Sequence, residues 1–161
     1  MQYVAPTTVG EACSLLADNP GSRVFAGATD LVPQMRTGRL EPSVMVDLKR
    51  IERLMSVSHA DGRWTVGAAT PASDLTHNAE FTTMHPGISE GAGLIGSDQI
   101  QNRSSLGGNL CNGSPAADSV PAMIASGARA VIAGAGGERT VLVANVVTGP
   151  GQTSLSADEF I

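Results

Sequence analysis

Apolar positions recur with the period of a strand or of a helix in alternation over the first third of the chain. Tyr3-Val4, Val24-Phe25-Ala26 and Val44-Met45-Val46-Asp47-Leu48 are apolar runs of strand length. Between the first two, Ala12, Leu15 and Leu16 share one helical face. Thr8-Val9-Gly10-Glu11 opens that helix as a capping box, and Asn19-Pro20-Gly21 ends it. Between the second and third, Leu31, Gln34, Met35 and Arg36 form another helix, with Thr29 or Asp30 as its cap and Pro33 tolerated in its first turn. Strands alternating with helices predict a small parallel sheet with right-handed crossovers over residues 1–53.

From Leu54 the runs shorten. Leu54 to Ser58 and Trp64 to Ala68 flank Asp61-Gly62, the dipeptide of a tight hairpin. Thr70 or Pro71 starts a short helix, and Pro86 to Ile95 forms a second. A third is expected with Ser114 as N-cap and Pro115 at its first position, turning Ala116, Val120, Met123 and Ile124 inward. Ala128 to Ala133 and Thr140 to Val143 then bracket Gly134-Ala135-Gly136-Gly137 as another hairpin. The pattern predicts a second, larger lobe over residues 54–161 and an α+β chain of two lobes.

Composition narrows the function. With 161 residues, 42% of them hydrophobic, the chain can bury a core. Its 10 Lys and Arg against 15 Asp and Glu supply no basic stripe, which excludes a nucleic-acid partner. No apolar run has membrane-spanning length, and no secretory signal opens the chain, so a cytoplasmic location without a membrane span is expected. Cys13 and Cys111 form no metal-ligand pattern, so neither zinc nor an iron–sulfur cluster is expected here. Cys13 reads as core; Cys111 reads either as a ligand contact through its backbone or as a small buried hydrophobe. His59, His77 and His85 are solitary in the sequence and receive no role.

Two stretches call for a chemical explanation. Gly96 to Ser119 is dense in glycine, small polar residues and amides, and Ser104-Ser105-Leu106-Gly107-Gly108-Asn109 offers backbone N–H groups beside two residues without a Cβ, as close approach to a phosphate requires. Asp118 would repel a phosphate but suits a ribose hydroxyl. The other stretch, Gly27-Ala28-Thr29-Asp30-Leu31, follows the second strand, where loops of parallel sheets hold ligands. In an acidic chain, a bound pyrophosphate is expected to rely mainly on backbone dipoles.

Both stretches resemble the flavin loops of the FAD subunit of molybdenum hydroxylases, the group of xanthine and carbon monoxide dehydrogenases. Gln99-Ile100, Asn102, Ser105-Leu106-Gly107-Gly108-Asn109-Leu110 and Ser114-Pro115 to Asp118 match one family segment, with Gln101 where arginine is usual. Ala26-Gly27-Ala28-Thr29-Asp30-Leu31 matches the other, with Ala28 replacing a glycine, a departure that is costly only if that residue is left-handed. The likeness continues through Asn145 to Gly151 and Asp158 to Ile161, and so covers the whole chain.

The resemblance implies a two-lobed FAD-binding (PCMH-type) fold, with a C-terminal α/β domain of the family absent from this chain. It implies FAD as cofactor, held by Ala26, Gly27, Ala28, Thr29, Asp30, Leu31, Ser105, Leu106, Gly107, Gly108, Asn109, Cys111 and Asp118. As partners it implies a 2Fe-2S small subunit and a molybdopterin-binding large subunit, with NAD among the possible acceptors. The redox chemistry would belong to the cofactor, so no catalytic side chain is expected. Two other readings stand beside this one: a flavin-free structural subunit or fragment, which Ala28 would motivate, and a single-chain FAD-dependent oxidoreductase, for which no catalytic side chains are visible.

Overall fold

A computed structural model describes residues 1–161 throughout. Strands β1 (Gln2–Val4), β2 (Arg23–Phe25) and β3 (Val44–Asp47) form an all-parallel sheet in the order β1-β3-β2. Register pairs Tyr3 with Met45 and Phe25 with Asp47. Helices α1 (Val9–Asp18) and α2 (Leu31–Arg36) connect the strands, as the alternation predicts. The capping box forms: Thr8 Oγ1 accepts from Glu11 N–H at 3.1 Å. Its return bond runs from Thr7 N–H to the Glu11 carboxylate at 2.9 Å, one residue earlier than the motif predicts. Asp30 stands at the cap position of α2, yet its side chain makes no capping bond.

The second region is built from α3 (Glu52–Met55), β4 (Val57–Ala60), β5 (Arg63–Val66), α4 (Ala72–Thr76), α5 (Ala79–Met84), α6 (Pro86–Gly93), α7 (Asp98–Gln101), α8 (Leu106–Cys111) and α9 (Ser119–Ala125). Strands β6 (Arg129–Gly134), β7 (Gly137–Leu142), β8 (Val147–Gly149) and β9 (Gln152–Thr153) complete it. Its strands form three two-stranded antiparallel ribbons. Asp61 and Gly62 both take positive φ, 51° and 69°, which gives the hairpin the backbone twist its strands need. Leu54 lies in α3 rather than in a strand, its side chain 8% exposed. No helix is long and apolar enough to cross a membrane.

Two corrections concern the glycine-rich segment. Gly107 and Gly108 do not form an open loop: they lie within α8, because Ser105 Oγ caps the helix by accepting from Gly108 N–H at 3.1 Å. Ser114 does not start a helix. It accepts from Ala116 N–H through Oγ and from Ala117 N–H through its carbonyl, making a turn, and α9 begins only at Ser119. Ala117, Val120 and Met123 therefore face inward, whereas Ala116 and Ile124 are exposed.

Two apolar clusters hold the chain. One gathers Leu75, Phe81, Ile88, Leu106, Leu110, Met123 and Val146 among its members. The other sits beneath the parallel sheet around Ala12, Cys13, Leu16, Val46, Leu48 and Ile51. That second cluster also draws Ala69, Ala133 and Phe160 from the later chain. Phe160 is 2% exposed and exchanges backbone hydrogen bonds with Ala133 of β6 at 2.8 and 2.9 Å, and the two residues together pack against the core of the first lobe.

Candidate functional site

The Ala26–Leu31 loop leaves the carboxyl end of β2. Ala28 carries it through a left-handed turn, with φ 58°, and the chain then enters α2. The five successive backbone N–H groups of Gly27, Ala28, Thr29, Asp30 and Leu31 donate no hydrogen bond within the chain; the first engaged donor is Val32 N–H, on the Ala28 carbonyl at 3.0 Å. A partly buried run of backbone donors without acceptors is uncommon, because such groups are nearly always paired. It matches an acceptor-rich ligand such as a phosphate.

The loop packs directly against the approach to α8. A Cβ built on Gly27 would overlap the Arg103 carbonyl oxygen and lie 2.9 Å from Ser104 N. Thus the two sequence stretches meet, although they are nearly eighty positions apart. Ser104 Oγ is buried there with no partner in the chain, and Ser105 N–H likewise has no acceptor.

The second stretch offers fewer free donors than its sequence suggests. Gly107 N–H is taken by the Ala68 carbonyl at 3.2 Å, Gly108 N–H by Ser105 Oγ, and Asn109 N–H by the Ser105 carbonyl at 2.9 Å. The two glycines also serve different ends. A Cβ on Gly107 would lie 2.5 Å from the Ala68 carbonyl oxygen, so this glycine lets two backbones touch. On Gly108 a Cβ would meet only Ser105 Oγ, at 3.2 Å, with open space beyond it. Leu106 is buried in the core. Asn109 Oδ1 accepts from the fully buried Ser119 Oγ at 2.6 Å, fixing α8 to α9.

Asp118 is exposed at the start of α9, and its carboxylate makes no hydrogen bond. Cys111 lies at the far end of α8; the residue as a whole is exposed, yet burial pushes its thiol up to about 11, and it is not among the residues that line the Gly27 contact.

Sequence reasoning passed over the end of β3. Asp47 accepts from Tyr3 Oη at 2.8 Å and from Lys49 N–H at 2.9 Å. Lys49 sits in a short turn over Leu48–Arg50, half-buried, at the same end of the parallel sheet as the Gly27 loop. Removal from water, followed by the charge of Arg103, pushes its ammonium below the usual lysine pKa; Asp47 and Asp74 oppose that shift. The available signal was its position at the carboxyl end of a parallel strand. His59, solitary in sequence, pairs with Glu80 at 3.0 Å and stacks on Trp64 at 4.7 Å, where it supports the hairpin.

The whole chain, residues 1–161, matches the model of the FAD binding domain in molybdopterin dehydrogenase. It is 32% identical over 160 residues to the xanthine dehydrogenase FAD-binding subunit of Escherichia coli O157:H7, covering 99% of this chain and 55% of that one. Against the carbon monoxide dehydrogenase medium chain of Hydrogenophaga pseudoflava the identity is 31%, over 99% of this chain and 56% of that one. The chain thus spans about half the length of the curated relatives it matches. Carbon monoxide dehydrogenase from Hydrogenophaga pseudoflava superposes on 100% of the chain with a TM-score of 0.95 at 31% identity. Quinoline 2-oxidoreductase from Pseudomonas putida 86 gives 0.95 at 28% identity over 99% of the chain and 56% of its own. By its fold and by its family model, this chain belongs to the FAD-binding domains of the molybdopterin dehydrogenases.

Proposed function

We propose that the chain holds FAD as the flavin-binding part of a molybdenum hydroxylase. Ala26 to Leu31 and Ser105 to Asn109 would grip its diphosphate, Asp118 a ribose hydroxyl, and Cys111 the ligand through its backbone. The observation that carries this reading is the run of five unpaired N–H groups at Gly27 to Leu31, pressed against the start of the Ser105 segment. Unpaired backbone donors at a loop entering a helix bind phosphate through main-chain dipoles. The residues present fit the cofactor: Gly108 leaves open space where a side chain would stand, and the exposed Asp118 carboxylate is free to accept.

Bound FAD would supply electron transfer, receiving electrons from a 2Fe-2S partner subunit served by a molybdopterin-binding subunit and passing them to NAD or another acceptor. This chain's own residues bind and orient. Titration of the purified chain with FAD, followed by flavin fluorescence, tests the reading. Saturable quenching is expected; unquenched flavin at every protein concentration would overturn it.

A further inference from the structure

Lys49 is the only lysine in the chain. It stands two residues beyond Asp47 on the central strand of the parallel sheet, and Gly27 stands two residues beyond Phe25, the register partner of Asp47. The ammonium and the donor loop therefore leave the same end of the sheet from adjacent strands. From the other side, the segment after β5 reaches both: Lys49 Nζ donates to the Ala69 carbonyl, while the neighbouring Ala68 carbonyl accepts from Gly107. Lys49 thus shares a sheet end with one stretch and touches the segment that holds the other.

Its charge has no close counter-ion. The ion pairs of the chain are Arg53–Glu138, His59–Glu80 and Arg139–Glu159. The Ala69 bond, at 3.4 Å, is at the outer limit for a hydrogen bond. Asp47 already accepts from Tyr3 and from Lys49 N–H, and Asp74 acts only from a distance, beyond ion-pair range. Arg103, a second cation acting on Lys49, has neither an ion pair nor a side-chain hydrogen bond, and its backbone abuts Gly27. Holding a half-buried ammonium beside a second cation is unfavourable unless an anion completes the site. The unpaired N–H groups of Gly27 to Leu31 ask for the same kind of ligand.

We infer that the Lys49 ammonium contacts the diphosphate of the bound dinucleotide and that Arg103 adds an outer positive charge. This rests on the FAD reading of the two stretches and adds a side-chain cation to a site otherwise made of backbone donors. Lys49 is a positioning and affinity residue; it transfers no proton.

Uniqueness makes the test direct. Reductive methylation with ¹³C-formaldehyde labels Lys49 and the N-terminus alone and keeps the lysine charged. On titration with ADP, the Lys49 methyl resonance should move and its pKa should rise, whereas adenosine, lacking phosphate, should leave it unchanged. Lys49→Gln should weaken FAD binding about tenfold or more and flatten its salt dependence, and Lys49→Arg should restore most of the loss. If wild type binds FAD, and Lys49→Gln binds it with the same affinity and salt slope, the inference fails while the FAD reading stands. If wild type binds neither FAD nor ADP, both fail. Should Lys49→Gln not fold by circular dichroism, the ADP-against-adenosine shift in the labelled wild type decides alone.

Discussion

The carbonyl oxygen of Arg103 occupies the space that a Cβ on Gly27 would need. This contact brings together the strand-end loop and the segment before α8, and a Cβ added there meets main chain rather than a side chain that could swing away. Gly27→Ala should accordingly cost about 1–3 kcal/mol, as forced overpacking does, and lower Tm by several degrees in calorimetry. Gly10→Ala is the control. Gly10 lies in α1, and a methyl group there would have nothing within 4 Å, so the same change should leave Tm equal or higher.

Ala28 makes the opposite prediction. It sits at φ 58°, a left-handed conformation that costs an alanine about 1–2 kcal/mol relative to glycine. Glycine is in turn more flexible when unfolded, which takes back roughly 0.4–1 kcal/mol. Ala28→Gly should therefore raise stability by about 0.5–1 kcal/mol, seen as a Tm increase of a few degrees. A lower Tm would mean that the alanine methyl makes a contact worth more than its strain.

The parts of this fold that local chemistry determines were legible in the sequence. Thr8 with Glu11, Asp61 with Gly62, and the alternation that builds the parallel sheet each act through neighbours along the chain. Gly107 and Gly108 were misread because glycine disfavours helix on propensity alone. Their helix depends on Ser105 as its cap and on Ala68 pressing against Gly107, a contact from forty residues away. Ser114-Pro115 has the composition of a helix start, but the Ser114 hydroxyl closes a turn two residues on instead. One candidate stretch could be picked out by composition and the other by its place after a strand; that Arg103 would touch Gly27, and that Lys49 would leave the same end of the sheet, are properties of tertiary packing.

Glu159 links stability to pH. The Arg139 guanidinium, at 2.8 Å, followed by the Ser156 N–H, holds its carboxyl down to about 2, below the ordinary glutamate value. A carboxylate whose pKa is depressed by folding contributes stability that is fully present above its unfolded pKa and is lost as pH falls through the folded one. The pair tethers Asp158–Ile161, and with it Phe160, to β7. Tm should therefore fall between about pH 5 and pH 2, and Glu159→Gln should start lower and flatten that part of the profile. An identical acid limb in the variant would show that other carboxylates set it.

Gly108 separates binding from folding more sharply than any other position here. It lies exposed in the first turn of α8, where glycine is a poor helix former, and a Cβ on it would meet no protein atom closer than Ser105 Oγ at 3.2 Å. The fold gives no reason for glycine at this position; a ligand approaching the backbone of α8 does. Gly108→Ala should hold stability constant or raise it by up to about 1 kcal/mol through helix propensity, offset in part by the close Ser105 hydroxyl. The same methyl would stand in the path of the phosphate, so FAD affinity should drop at least about tenfold, a loss of about 1.4 kcal/mol or more. Gly107→Ala should behave in reverse order, losing stability first because its Cβ would run into Ala68. Thermal melts and flavin titrations on the two variants give four numbers. If Gly108→Ala keeps full FAD affinity, the diphosphate does not approach α8 at this turn, and the five donors of Gly27 to Leu31 must hold it without that helix.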